Sequence, residues 1–211
     1  MYDFLKRIMD MVGSLVGSIL LLPIFLLVAL AIKLDSQGPI FAETPMRVGR
    51  DGELFKMYKF RSMIANAHGL LTTDPRFKKL YDEYKKSSYK LTKDPRITRV
   101  GKFIRKYSLD ELPQLINVLR GEMSLVGPRA YYPDELEEQQ KNYPETKEYV
   151  NIILSGKPGI TGIWQVSGRS GINFDERVKM DASYVQKRSI IYDFWLILKT
   201  IPAVISGKGA V

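Results

Sequence analysis

No cysteine occurs among the 211 residues, and His68 is the only histidine. The first absence excludes disulfides, Cys-based zinc sites and thiol nucleophiles. The second excludes any two-His metal site and leaves one position for a Ser-His-Asp triad, which no nucleophile-elbow glycine pattern supports. Also missing are a G-x-G-x-x-G after a strand and a G-x-x-x-x-G-K-[ST], so neither a dinucleotide fold nor a P-loop is indicated. Any enzymatic chemistry must therefore come from carboxylates and basic side chains. A chain of 24.2 kDa is one domain's worth of material, enough to bury a core without metal or disulfide staples.

The positive charge is concentrated. Between Arg76 and Lys106 stand twelve Lys or Arg against three acids, Asp82, Glu83 and Asp94, which equals the whole formal excess of +9. Such a block suits nucleic acid, an anionic membrane surface or a phosphorylated substrate, or is a solvated basic loop.

From Met11 to Ile32 run 22 residues without a charge, bounded by Asp10 and Lys33. As one helix they would reach roughly 33 Å, enough to cross a bilayer core. Pro23 sits near the middle, where it removes a backbone hydrogen bond and clashes with the preceding turn, so two shorter helices meeting at a kink are expected. Lys6 and Arg7 precede the stretch and Lys33, Arg47 and Arg50 follow it. Both ends thus carry the charge expected on the cytoplasmic side. A re-entrant hairpin satisfies both observations. A proline-kinked transmembrane helix is an alternative, as is a signal peptide with Ala29-Leu30-Ala31 as its cleavage site, although the apolar run exceeds the usual h-region of about 7 to 15 residues.

Beyond residue 33 the pattern is mixed. Residues 39–63 read as two β-rich runs joined at Asp51-Gly52, a hairpin signal. Residues 74–90 read as helical, with turns at Asp74-Pro75 and Asp94-Pro95. Further helices are expected at 99–107, 110–120, 133–142 and 174–189. The apolar run 189–205, interrupted by Asp193, Lys199 and Pro202 and carrying Tyr192, Phe194 and Trp195 at one end, suits a helix in the headgroup interface; a buried core helix is the alternative.

Asp110 and Glu111 stand side by side in "SLDELPQLINVL". A capping box from Ser108 to Glu111 would place Pro113 at the fifth helical position, where it breaks a hydrogen bond. Starting the helix at Asp110 puts Pro113 where no N–H is needed. That leaves Glu111 free and sets both carboxylates at the positive end of a helix dipole, which also binds phosphate. An Asp can attack phosphorus to give an acyl phosphate. Two anions then meet, so the site needs a screening cation such as Mg²⁺, and arginines to neutralise the rest, with Arg105 and Arg129 as candidates.

The blocks "DPRITRVGKFIRKYSLDELPQLINVLRGEMSLVGPR" (94–129) and "KPGITGIWQVSGRS" (157–170) resemble the signature blocks of the bacterial sugar transferase family, and the likeness runs from "KRIMD" to "GKGA". These are monotopic phosphoglycosyl transferases that move a hexose-1-phosphate from a UDP-sugar to undecaprenyl phosphate. The resemblance implies an α+β, mostly helical protein on the cytoplasmic face of the bacterial inner membrane. Residues 1–33 would be a re-entrant helix broken at Pro23. Residues 34–211 would form a cytoplasmic catalytic domain with a small β-hairpin and interfacial amphipathic helices, one at 190–205 carrying Trp195. Asp110 would be the nucleophile, forming a covalent phosphosugar and releasing UMP before undecaprenyl phosphate attacks. Glu111, with Asp110, would hold Mg²⁺. Arg105, Pro128, Arg129 and Arg169 would contact phosphate or nucleotide. Membrane lipids are implied as partners and nucleic acid is not; the wording of "GITGIWQVSGRS" favours galactose or glucose donors. Two features depart from the family pattern: Ala130 replaces the second proline of Pro-Arg-Pro, and Leu22, not Ser, precedes Pro23. Asp110 acting as a base in direct transfer, and a membrane-tethered binding module without catalysis, are the competing readings.

Overall fold

Two helices, α1 (Tyr2–Leu20) and α2 (Leu22–Asp35), meet at Leu21 with a bend of 60°. The structure, a computed structural model, describes residues 1–86, 91, 94–168, 171–207 and 209. After α2 come a hairpin of β1 (Arg47–Val48) and β2 (Leu54–Phe55), then α3 (Ala67–Thr73), α4 (Lys78–Lys86), α5 (Arg99–Lys106) and α6 (Gln114–Arg120). Strand β3 (Ser124–Val126) leads through α7 (Pro133–Asn142) and α8 (Lys147–Leu154) to β4 (Gly159–Thr161). Three helices close the chain: α9 (Ile163–Ser167), α10 (Phe174–Lys187) and α11 (Ile190–Ser206). The protein is α+β and mostly helical. β1 and β2 pair antiparallel, and β3 and β4 pair parallel.

The bend differs in detail from the expectation. It falls at Leu21, not at Pro23, which occupies the second position of α2, where its missing N–H has no intrahelical partner. No single described helix is long and apolar enough to cross a membrane, whereas α1 and α2 qualify together as a bent pair. α1 also begins nine residues ahead of the uncharged stretch, at Tyr2. Lys6, Asp10 and Ser14 recur every four residues and form its buried face, while Phe4, Ile8, Met11, Leu15 and Ile19 are exposed.

That buried face locks α1 to the rest of the chain. Lys6 Nζ lies 2.9 Å from Asp193 Oδ2 of α11 and 3.5 Å from Asp10. Asp10 Oδ1 accepts from Ser124 Oγ and Leu125 N of β3, each at 3.0 Å. Asp193 accepts further from Tyr2 Oη at 3.0 Å and Tyr184 Oη at 2.6 Å. Asp193 therefore does not merely interrupt an apolar helix, as its place in the sequence suggested. It is fully buried, and these hydrogen bonds offset the desolvation of its charge. The opposite face of α11 exposes Ile191, Phe194, Trp195, Leu198, Ile201 and Ile205.

Other expectations fare unevenly. α7 spans 133–142 as read, and α5 and α10 end within two residues of theirs. The Asp51-Gly52 turn has both residues at positive φ, as a tight hairpin requires, yet each strand is only two residues long. The helix read at 110–120 starts instead at Gln114. Residues 109–111 form a separate 3-10 turn, because Pro113 suits a helix boundary better than an interior. Part of the basic block is paired within the fold: Arg96 is buried against Asp94 and Ala67 O, Arg76 pairs with Asp74, and Lys85 with Asp134 and Glu138. Lys90 and Lys93 lie outside the described residues.

Candidate active site

The turn that carries Asp110 and Glu111 is set by backbone constraint. Arg99–Lys106 is capped by Thr98 Oγ1, which accepts from Gly101 N at 2.9 Å, and it ends at Tyr107. Ser108 then adopts a left-handed conformation, φ +52°, a strained choice for a residue with a Cβ. No side chain caps the 3-10 turn that follows, which excludes the Ser108–Glu111 box. Phe60 N donates to Asp110 O at 2.9 Å, tying residues 59–61 to the dyad. The neighbour thus delivered is Lys59, whose Nζ lies 2.6 Å from Glu111 Oε1.

Asp110 and Glu111 line a cavity of about 1010 Å³ together with Lys59, Arg105 and Arg129. Burial raises the Asp110 carboxyl to about 6, against the opposing pull of Lys59 and Arg105 and with the help of the Glu111 charge. Burial acts on Glu111 in the same sense, but the Lys59 contact, with Arg129 and Arg47 further off, holds it below the usual carboxylate range. The adjacent carboxylates are therefore driven apart: one stays anionic, the other is poised near neutrality. The lining of the same cavity also includes apolar residues, Met9, Gly13 and Leu21 from the N-terminal helices and Phe194, Ile197 and Ile201 of α11.

Arg129 is held from behind. Its backbone N donates to Asp181 Oδ2 of α10 at 2.9 Å, and its Nε lies 3.9 Å from Glu135, which is equally far from Arg177. Burial pushes the Asp181 carboxyl up to about 7 in spite of that bond. The guanidinium of Arg129 stacks 5.3 Å from the Trp164 ring. The loop "VGPRA" can take this path because β3 and β4 approach closely: a Cβ on Gly159 would strike the Gly127 backbone. Pro128 is buried and shapes the turn, its carbonyl accepting from Gly159 N at 2.9 Å, but it does not line the cavity. Ala130 in place of proline accepts through its carbonyl from Arg47 Nη1 at 3.1 Å, and Arg47 in turn covers Tyr132 at 3.3 Å.

The family model described as bacterial sugar transferase matches residues 1–207. The chain belongs to the bacterial sugar transferase family. It is 46% identical over 211 residues to the UDP-galactose-lipid carrier transferase of Erwinia amylovora and 44% identical to the undecaprenyl-phosphate galactose phosphotransferase of Salmonella typhimurium. Each alignment takes in 98% of this chain but only 42% of the relative's length. Against the exopolysaccharide production protein ExoY of Sinorhizobium fredii identity is 42%, over 97% of this chain and 87% of that protein.

Within this family member the geometry brings together Asp110, Glu111, Arg105 and Arg129 as the sequence suggested, while Arg169 lies outside the described residues. Lys59 was not foreseen. Nothing in "MYKFRSM" marks it, and only the Phe60–Asp110 backbone bond puts it beside Glu111. Asp181, Glu135 and Arg177 likewise carry no local signature. As for a metal, no group of three or more His, Asp or Glu that could hold an ion occurs among the described residues. Two adjacent carboxylates on a cavity wall still fit Mg²⁺, which takes one or two carboxylates and fills its shell with water and substrate phosphate.

Proposed function

We propose that this chain transfers a hexose-1-phosphate from a UDP-sugar of galactose or glucose type to undecaprenyl phosphate, starting glycan assembly. The observation that carries this reading is Asp110, a nearly buried carboxylate of raised pKa in a cavity lined both by cations and by apolar residues of α1 and α11. Cations suit a nucleotide diphosphate and an apolar wall suits a polyprenyl chain. The names of the Erwinia and Salmonella relatives support a galactose donor and this lipid acceptor, and a relative in Komagataeibacter xylinus is named for glucose.

In the first half-reaction an Asp110 oxygen attacks the β-phosphorus of the UDP-sugar. The bond from that phosphorus to the oxygen bridging the α-phosphate breaks, and UMP leaves with its electrons. The hexose-1-phosphate remains on Asp110 as a mixed anhydride. A phosphate oxygen of undecaprenyl phosphate then attacks the same phosphorus and restores the Asp110 carboxylate. Lys59, Arg105 and Arg129 neutralise the substrate phosphates; Lys59 also keeps Glu111 ionised. Mg²⁺ held at Glu111 and Asp110 would supply further screening of the phosphate charge.

The α1–α2 pair forms the re-entrant segment, residues 34 onward form the catalytic unit, and the exposed apolar faces of α1, α2 and α11 meet the membrane at its cytoplasmic side. The positive flanks at both ends of the pair support this orientation. Purified protein given Mg²⁺, undecaprenyl phosphate and a panel of UDP-sugars should release UMP, and Asp110→Asn should abolish release. UDP release, or no product with any sugar, contradicts the proposal. Radiolabelled sugar phosphate retained on the protein without lipid acceptor separates the covalent route from direct transfer.

A further inference from the structure

Three further cations of the basic block are gathered on one face of α5. Arg99, Lys102, Phe103 and Lys106 recur at spacings of three and four, while Gly101 and Ile104 on the opposite face are buried. Phe103 is 58% exposed. Among the described residues Arg99 and Lys102 have no ion-pair partner, and Lys106 only faces the Tyr107 ring at 5.4 Å. A row of cations around an exposed Phe103, its ring edge-on to Tyr107 at 5.1 Å, is an unusual surface for water alone.

Its position gives it a use. α5 packs through Val100 and Ile104 on Val28 and Ile32 of α2, whose other face exposes Leu26, Leu27, Leu30 and Leu34. At its other end the Lys106 stem touches Gly207, which terminates α11 beside the exposed Ile205. The cationic stripe therefore borders two exposed apolar faces and bridges them. We infer that α5 is an electrostatic contact for acidic phospholipid headgroups, with Arg99, Lys102 and Lys106 supplying the charge and Phe103 entering the interface. The adjoining apolar faces favour lipid over nucleic acid, since a phosphodiester backbone has no use for Leu34 or Ile205. This rests on the membrane placement proposed above and adds to it a dependence on headgroup charge. Each Lys or Arg near an anionic surface contributes about 1 kcal/mol, so three cations shift the docked-to-undocked ratio of α5 by on the order of 100-fold.

Because the chain has no cysteine, Phe103→Cys and Leu30→Cys each give a unique site for an apolar fluorophore. The labelled proteins are placed in lipid nanodiscs containing nitroxide-bearing lipids, with phosphatidylcholine alone or mixed with phosphatidylglycerol. The α2 probe at residue 30 should be quenched in both. The α5 probe should be quenched only with phosphatidylglycerol, and high salt or the combined Arg99→Glu, Lys102→Glu and Lys106→Glu substitutions should relieve it. Quenching at residue 103 that ignores headgroup charge, or that is absent from both discs while residue 30 is quenched, overturns the α5 contact alone. An α5 probe that responds to added oligonucleotide and not to phosphatidylglycerol overturns it in favour of nucleic acid. An unquenched probe at residue 30 overturns the membrane placement itself.

Discussion

Replacing the proposed nucleophile by its neutral isostere should make the protein more stable. Asp110 is 8% exposed, and its carboxyl is raised from 3.8 to about 6. That is about two units, or about 3 kcal/mol at 1.36 kcal/mol per unit, by which the charged form is disfavoured in the fold after the attraction of Lys59 and Arg105 has been included. The sign follows from the raised value: the protonated form suits the fold, so this contribution is fully present below pH 3.8 and is lost as pH rises through about 6. Asn cannot ionise and loses nothing. Asp110→Asn should therefore match the parent near pH 4 and exceed it by up to about 3 kcal/mol at pH 8. For a chain of this size such a gain raises Tm by roughly 6–12 °C. Thermal unfolding in detergent from pH 4 to 8 measures the gap. A variant less stable than the parent at pH 8, or a gap that does not widen between pH 4 and 7, refutes the reasoning.

The same carboxyl should govern catalysis, with an acid limb of kcat/KM near pH 6 where an ordinary aspartate would give one near 4. Lys59→Met removes a cation that lowers the Asp110 value, so it should move that limb to higher pH while reducing kcat/KM; an unmoved limb would separate Lys59 from the nucleophile. Asp181→Ala deletes the acceptor that holds the Arg129 backbone, a charge-assisted bond of about 1.5–3 kcal/mol where Asp181 is ionised, and should cost roughly 10- to 100-fold in kcat/KM for the UDP-sugar in steady-state assays run about one pH unit above its raised value. Lys6→Met leaves Asp10 and Asp193 buried without their cation and should destabilise the protein by about 3–5 kcal/mol, read from unfolding at neutral pH.

Local chemistry made much of this protein legible in one dimension. Pro113 argued against the capping box, the Asp51-Gly52 pair announced its turn, and the alternation of polar and apolar residues located α5, α7 and α10. Those features depend on neighbours within a few residues, so the sequence carries them directly. The second sheet escaped notice because β3 and β4 are three residues each and lie over thirty positions apart, with no period long enough to read. The helix at 110–120 was misplaced because the competing 3-10 turn depends on the strained Ser108, a residue whose type gives no hint of positive φ.

The site divides along the same line. Asp110, Glu111, Arg105 and Arg129 could be named from the chain, since they stand within or beside recognisable blocks. Lys59, Asp181 and the burial that raises Asp110 could not, because each arises from contacts between segments distant in sequence. Which residues could do the chemistry was a matter of side-chain type and order. Which of them is anionic, which is held in reserve near neutrality, and which cation pairs with which acid were decided only when the fold removed water from one carboxylate and set a lysine against its neighbour.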